Sequence, residues 1–186
     1  RARQKICGSD RGLIQIQHPL ATSGKKINKK IYPFLETDIV LILPSSVLVN
    51  QYKHELMTHD EAAIKWFADR WLKAIEILRE KFPGFEIVWK SHPSDGQSAL
   101  WVRVVNRLEK QCPELIFLDS KVSAQDWILR SKIVVGDISS SLWWASLIET
   151  KVVLSLDIFG IRNVDEMKHR RGIHYIDDLE KLLRTD

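Results

Sequence analysis

Short runs of apolar residues alternate along the chain with longer segments in which apolar residues recur every three or four positions. The runs predict buried strands, and the periodic segments predict helices with one buried face. The expected strands are Asp38–Leu43, Phe85–Lys90, Leu115–Leu118, Lys132–Val135 and Val152–Leu156, with a further short one at Leu13–Gln17. The expected helices are Asp60–Lys81, Gln97–Gln111, Ala124–Arg130, Leu142–Glu149 and one that begins at Asp177.

Two acidic residues stand where helices are expected to begin. Asp60 opens the longest periodic segment, where its carboxylate can cap unpaired backbone N–H groups. Asp177 precedes Glu180 by three positions, which is the spacing of a capping box. Both positions therefore predict helix starts.

Strands that alternate with helices need crossover connections, and short apolar strands need cover on both faces. These requirements predict an α/β fold with a Rossmann-like, doubly wound parallel sheet. In such a sheet, ligands bind beyond the carboxyl ends of the strands, where the strand order reverses. The residues that directly follow each strand are therefore the candidates for chemistry.

The formal net charge of the 186-residue chain is +4, and it is unevenly distributed. Residues 1–37 contain eight Lys and Arg against two acids, whereas residues 38–186 sum to −2. We therefore expect a basic irregular leader or interdomain segment over 1–37 and a Rossmann-like domain over 38–186. The leader is interpreted either as a solvated loop or as a segment that contacts polyanions or an anionic membrane.

Cysteine content and hydropathy narrow the class of protein further. The chain has two cysteines, Cys7 and Cys112, which exclude a disulfide framework and a four-thiolate zinc site and favour a reducing, cytoplasmic location. The longest apolar run, within Asp38–Val49, is too short to span a bilayer, and no secretory leader is visible. Because the first residue is Arg1 rather than Met, we expect a piece of a longer protein.

An acid and three serines follow the fourth expected strand, at the start of a helix. Asp137 opens this segment, and Ser139, Ser140 and Ser141 come after it. Hydroxyls beside unpaired backbone N–H groups, at the positive end of a helix dipole, suit a phosphate. The alternative is that one serine is the helix N-cap and the others are solvated.

The second expected strand ends in Lys90, and Ser91-His92-Pro93 follows it. Because imidazoles titrate near neutral pH, His92 can donate to a phosphate oxygen or give a proton to a leaving group, and Lys90 adds charge. The alternative is a structural histidine before a proline. Ser45 and Ser46 end the first strand, which in the common strand order lies between the second and the fourth.

Several familiar motifs are absent or incomplete. His54–His59 resembles a zinc-protease helix but has one residue too many between its histidines. No Gly-rich dinucleotide fingerprint or Walker loop follows a strand, and no Gly-x-Ser-x-Gly elbow is present. We therefore expect no cofactor, no metal site and no ordinary NAD or ATP site. Nucleic acid is not an expected partner, because the domain over 38–186 is nearly neutral.

The two segments together resemble a known family. His92-Pro93 after the second strand, and Asp137-x-Ser139-Ser140 after the fourth, are similar to motifs in the donor-binding half of GT-B transferases that use cytidine nucleotides. This group includes the CDP-glycerol glycerophosphotransferases of teichoic acid synthesis, the bacterial sialyl- and polysialyltransferases and the Kdo transferases of capsule export. The resemblance covers about Asp38 to Phe159.

The resemblance implies that His92, Ser139 and Ser140 contact the phosphate of a CMP-, CDP- or UDP-activated donor. Further phosphate-binding candidates at the same edge are Lys90, Ser45, Ser46 and Ser141. It also implies a glycosyltransferase or polyol-phosphate transferase for bacterial cell-surface polysaccharide, in which residues 38–186 bind the nucleotide. No catalytic residue is assigned apart from His92 as a candidate, since the base of GT-B enzymes usually lies in their other half.

The implied partners are a nucleotide-activated sugar or polyol and an N-terminal acceptor domain of the same parent chain. Peripheral contact with the inner face of the cytoplasmic membrane is a further expectation. Two alternatives to a transferase stay open. One is a non-enzymatic Rossmann-like interaction module that docks through residues 1–37, and the other is a sugar-nucleotide epimerase, which shares the GT-B architecture.

Two positions depart from the family pattern. Trp144 stands where many members have an acid, and Glu149-Thr150-Lys151 replaces a Gly-Lys-Pro turn. The nucleoside is therefore assigned to Asp137 together with Glu149, which would take over the ribose contact, or with Trp144, which would stack on the base.

Overall fold

The computed structural model describes residues 37–47, 49, 53–54, 59–137, 139–148, 151–157 and 171–184. The strands are β1 (Thr37–Leu43), β2 (Glu86–Lys90), β3 (Ile116–Leu118), β4 (Ser131–Gly136), β5 (Val152–Leu156) and β6 (His174–Ile176). The helices are α1 (Asp60–Lys81), α2 (Ala99–Gln111), α3 (Ala124–Arg130), α4 (Ser140–Ser146) and α5 (Leu179–Arg184), and a 3₁₀ turn at Asp95–Gln97 precedes α2. The basic leader and the strand expected at Leu13–Gln17 lie outside the described residues.

The six strands form one parallel sheet in the order β3-β2-β1-β4-β5-β6. From β1 the chain builds outward through β2 to β3, then crosses to the other side of β1 at β4 and continues to β6. This is the strand order of a Rossmann-like doubly wound fold. The predicted fold class is confirmed.

Alternate residues of β1 face two separate apolar layers. Val40 and Ile42 pack in the layer that contains α1, α2 and α5, whereas Ile39, Leu41 and Leu43 pack with α3 and α4. All five side chains are at most 5% exposed. A strand buried on both faces has to be apolar throughout, which explains why β1 is a continuous apolar run rather than an alternating one.

Three tryptophans fill the larger layer. Trp71 meets Trp89 edge to face at 5.2 Å between ring centroids, and Trp89 stacks near Trp101 at 6.1 Å. The indole N–H groups of Trp89 and Trp101 both donate to the hydroxyl of Ser91, each at 3.1 Å. The first residue after β2 is therefore held by the core beneath it.

The helical periodicity was sufficient to locate α1 and α3, whose bounds agree with the prediction. The apolar stripe of α1 is buried as expected: Ala63, Phe67, Trp71, Ala74, Ile75 and Leu78. The predicted cap is wrong, because His59 occupies the N-cap and Asp60 is already helical. Its neighbourhood supplies another role for Asp60, which forms an ion pair with Lys53 at 2.5 Å.

The structure differs from the prediction at β6, at the start of α5, at the end of α4 and at the start of α2. A sixth strand, His174–Ile176, was missed, since three residues at the sheet edge are too short to show a period. The predicted capping box is wrong, because the carboxylate of Asp178, not Asp177, accepts the N–H of Glu180 at 3.0 Å. Helix α4 ends at Ser146 rather than Glu149. Helix α2 begins at Ala99 rather than Gln97, and the hydroxyl oxygen of its N-cap, Ser98, accepts the backbone N–H of Trp101.

Candidate functional site

The carboxyl edge of the sheet brings together the loops that follow β2, β1 and β4. Strand β1 lies between β2 and β4, as expected for Ser45 and Ser46. The order reverses between β1 and β4, so this is the point at which doubly wound folds bind ligands. His92 and the serines after Asp137 therefore lie on loops that flank the β1 loop on either side.

Asp95 joins the β2 loop to the β1 loop. Its carboxylate accepts the backbone N–H of His92 at 2.7 Å through one oxygen and the hydroxyl of Ser46 at 2.5 Å through the other. The Asp95 N–H returns a bond to the His92 carbonyl at 3.0 Å. Asp95 is 2% exposed, and a buried carboxylate with two donors fixes both loops against each other.

Asp137 joins the β4 loop to the β1 loop on the opposite side. Its carboxylate accepts the backbone N–H of Ser45 at 3.1 Å, and its carbonyl accepts the hydroxyl of Ser155 at 2.8 Å. The strand ends are also close, because a Cβ on Gly136 would lie 2.6 Å from the Leu43 carbonyl oxygen. Glycine is thus required where β4 approaches β1.

The same kind of bond continues to both ends of the sheet. The Lys90 ammonium donates to the Ser120 carbonyl at 2.9 Å and to the Ser91 carbonyl at 2.7 Å, which joins β2 to the β3 loop. The Tyr175 hydroxyl donates to the Asp157 carboxylate at 2.5 Å, which joins β6 to the end of β5. Side-chain bonds therefore connect neighbouring loops along the whole carboxyl edge.

Burial lowers the pKa of Lys90, while the nearby carboxylates of Asp95 and Asp119 oppose that shift. Lys90 is 2% exposed. Two of its three N–H donors are bonded to carbonyls. These two bonds connect the loops after β2 and β3. One N–H donor is left over, but the side chain is buried, so the expected contact of Lys90 with phosphate stays a prediction.

The imidazole of His92 is exposed, and its contacts with Ser94 indicate which tautomer the ring adopts. Its Nδ1 lies 3.2 Å from the Ser94 N–H and 2.8 Å from the Ser94 hydroxyl. A backbone N–H only donates, so Nδ1 is the acceptor and the neutral ring carries its proton on Nε2. Nε2 makes no hydrogen bond to any described residue, which leaves it as a donor at the edge.

The three serines after Asp137 play different roles. Ser139 is the N-cap of α4, and its hydroxyl oxygen accepts the Ser141 N–H at 3.1 Å. Ser140 is exposed and Ser141 is half-buried. The capping alternative is therefore correct for Ser139, although its own hydroxyl proton is not used by that bond and can still be donated.

Two of the candidate phosphate ligands, Ser45 and Ser46, use hydrogen-bond donors to hold the loop after β1 in place. Ser46 has a single hydroxyl proton, and that proton is donated to Asp95. Ser45 contributes its backbone N–H to Asp137. Both lie at the predicted edge, and a role as phosphate ligands stays a prediction.

Of the three candidate nucleoside-binding residues, two are buried and one lies outside the described part of the chain. Asp137 is 1% exposed, and Trp144 is 8% exposed within the layer formed by α3 and α4. A buried indole offers little of its face to a base, so the structure gives no support to stacking by Trp144. Glu149 lies outside the described residues.

Asp95 was missed in the sequence because no motif contains it. The clue in the sequence was the position of Asp95, which is the only acidic residue between Lys90 and the apolar positions of α2. An aspartate three residues after a histidine can accept the backbone N–H of that histidine, because Asp and Asn side chains also bond to the backbone three positions earlier. Burial, which decides its importance, is not visible in sequence.

Two surface depressions lie away from this edge. One of about 400 Å³ lies between α1 and α2, and one of about 380 Å³ lies beside the first residues of β2 and β3. Among the residues that the structure describes, no three His, Cys, Asp or Glu side chains gather as a metal site. No described helix has the length and apolar character needed to cross a membrane.

The fold and the edge define a Rossmann-like α/β protein with a polar, hydrogen-bonded carboxyl edge. Comparison of the chain with protein-family models, with curated proteins and with solved structures gives no match. Any assignment of function therefore depends on the residues themselves.

Proposed function

We propose that this chain is the donor-nucleotide-binding half of a GT-B transferase, a glycosyltransferase or polyol-phosphate transferase of bacterial cell-surface polysaccharide synthesis. The donor is a CMP-, CDP- or UDP-activated sugar or polyol. The proposal rests on the resemblance of His92-Pro93 and Asp137-x-Ser139-Ser140 to that family.

One observation supports the proposal most directly. The two loops that carry the motifs flank β1 at the point where strand order reverses, and both are bonded to the β1 loop, one through Asp95 and one through Asp137. Two short motifs separated by more than forty residues thus belong to one edge. A fold places ligands at that edge for a physical reason, since the loops diverge there and leave a crevice.

The chemistry of the proposed site is stabilisation of a leaving phosphate. His92 offers its Nε2–H, and Ser139 and Ser140 offer hydroxyls beside the start of α4. Donors that are held in place before the reaction stabilise developing negative charge without reorganisation. Asp95 supplies that rigidity for His92, because it bonds the His92 backbone rather than its ring.

The acceptor and the catalytic base belong, in this proposal, to a second domain of the parent protein. The chain alone is then expected to bind nucleotide without transferring the donor group. Binding, rather than turnover, is the appropriate measurement for this chain.

Titration with CMP, CDP and UDP, followed by calorimetry and by NMR shift perturbation, tests the proposal. We expect saturable binding with perturbations in the loops after β2 and β4. His92→Ala should weaken binding by about tenfold or more, the value of a hydrogen bond to a charged group. His174→Ala, which removes an exposed imidazole from β6, is the matched control and should leave the affinity unchanged.

Three results would overturn the proposal. The first is the absence of binding at millimolar nucleotide, and the second is equal affinity of wild type and His92→Ala. Perturbations confined to the groove between α1 and α2 would place the nucleotide elsewhere and would also contradict it.

A further inference from the structure

A groove of about 400 Å³ runs between α1 and α2, away from the carboxyl edge. Glu61 and Ile64 line it from α1, and α2 contributes Arg103, Asn106, Arg107, Lys110 and Gln111. Its volume lies within the range of small-molecule sites. Six of the seven lining residues are polar in type, and three of them are cations.

Arg107 is the unusual member of this group. Its side chain is 33% exposed, yet its Nε is buried and has no hydrogen-bond partner among the described residues. Its Nη2 meets the Asp69 carboxylate only at 3.6 Å, beyond hydrogen-bond length. A buried guanidinium donor without an acceptor is costly, and such a group in a folded protein calls for an explanation, an unseen ion among them.

The acids around the groove are already shared. Glu61 forms an ion pair with Arg103, and Asp69 is bonded by Lys65 as well as approached by Arg107. Lys110 makes no ion pair with a described residue. Arg107 and Lys110 are three positions apart on one helix, so their side chains lie on the same face. The groove therefore has a surplus of positive charge, and neither the Arg107 nor the Lys110 side chain makes a hydrogen bond to a residue that the structure describes.

We propose that this groove binds a phosphate group through Arg107 and Lys110. The planar guanidinium matches the spacing of two phosphate oxygens, and an ammonium and two amides can meet the remaining ones. Because no hydrogen bond to a described residue fixes the Arg107 guanidinium in its present position, it can turn toward a ligand. Binding here is independent of the nucleotide site at the carboxyl edge.

The phosphate can come from a soluble monoester or from a lipid headgroup. The experiment separates these sources by titrating the chain with inorganic phosphate, with glycerol 3-phosphate, and with phosphatidylcholine vesicles that contain phosphatidic acid. The readouts are the Arg107 Nε–H resonance and the backbone amides of α2 for the soluble ligands, and co-sedimentation for the vesicles. Sodium chloride at matched ionic strength controls for screening.

We expect saturable binding with a Kd below about 1 mM for at least one source. Arg107→Gln and Lys110→Gln should each weaken it by about tenfold, as loss of one charge-assisted contact does. Arg130→Gln, at an exposed arginine on α3, is the matched control and should bind as wild type does. His92→Ala should also bind phosphate normally, which separates this site from the proposed function.

The ligand that shows saturable binding identifies the source of the phosphate group. Binding of glycerol 3-phosphate that depends on Arg107 supports a soluble monoester, and binding to vesicles alone supports a lipid headgroup. Shifts that stay linear to 10 mM, or equal weakening in Arg107→Gln and Arg130→Gln, would overturn the proposal.

Discussion

The carboxyl edge of the sheet and the groove between α1 and α2 are both lined by polar residues, but these residues differ in how completely they are hydrogen-bonded. At the edge, the buried carboxylates of Asp95 and Asp137 accept donors from neighbouring loops, and the Lys90 ammonium is bonded to two carbonyls. In the groove, the Arg107 guanidinium makes no hydrogen bond to a described residue and one loose ion pair.

Polar groups that are hydrogen-bonded and polar groups that are not have different effects on a site. Satisfied groups hold a shape, so the edge has a rigid framework on which few donors, chiefly His92 and the serines of α4, are presented. Polar groups without partners can bind a ligand instead, so the groove offers positive charge, but few hydrogen bonds to described residues fix its side chains. Substitutions at the edge should therefore cost stability, whereas substitutions in the groove should mainly change binding.

The largest effect is expected for Asp95→Ala. The change leaves the Ser46 hydroxyl and the His92 N–H without their acceptor, and should lower the free energy of unfolding by about 2–3 kcal/mol. Urea denaturation with an unchanged m value measures it. Asp119→Ala, an exposed acid at the same edge, should cost less than about 1 kcal/mol. Equal costs for the two would show that Asp95 does not join the loops.

A smaller effect is expected from the pH dependence of Lys90. Because burial lowers the pKa of this ammonium in the folded state, the unfolded chain binds more protons in the alkaline range below its ordinary value of 10.5. Stability attributable to Lys90 should therefore increase as pH rises through that range. The free energy of unfolding of wild type minus that of Lys90→Met, measured from pH 7 to 10, should rise. A flat or falling difference would contradict burial of the charge.

The smallest effect on stability is expected for Arg107→Met. The substitution keeps the apolar stem and removes the buried donor that lacks an acceptor, so the free energy of unfolding should change by less than about 0.5 kcal/mol or increase. Thermal and urea unfolding compare it with wild type. A loss above about 1.5 kcal/mol would mean that Arg107 supports the fold, and the contrast between edge and groove would then fail.

Local patterns located most of the elements because the responsible interactions are short in range. The apolar run at Asp38–Leu43 and the stripe of α1 follow from burial on two faces and on one face. Strand β6 was missed because three residues at an edge gain their pairing from β5, not from their own pattern. The start of α5 was misplaced for a related reason, since Asp177 and Asp178 are equivalent in a sequence pattern and only the backbone path selects Asp178.

The candidate site shows the same division. The positions of His92 and of Ser139 to Ser141 after two strands were readable, and their placement beside β1 followed once the sheet order was assumed. The sequence did not show that the proton of Ser46 is donated to Asp95, nor that Trp144 is buried. Such facts depend on groups that are distant along the chain and adjacent in space.

An α/β chain with apolar strands, amphipathic helices and polar residues after the strands could be predicted from the sequence alone. These features follow from hydrophobic periodicity and local backbone preference, which act within a few residues. The packed fold shows which of those polar residues hold loops together and which still have donors to offer. The reason is physical, because a hydrogen bond such as that between Ser45 and Asp137 joins residues 92 positions apart, and burial is a property of the packed molecule.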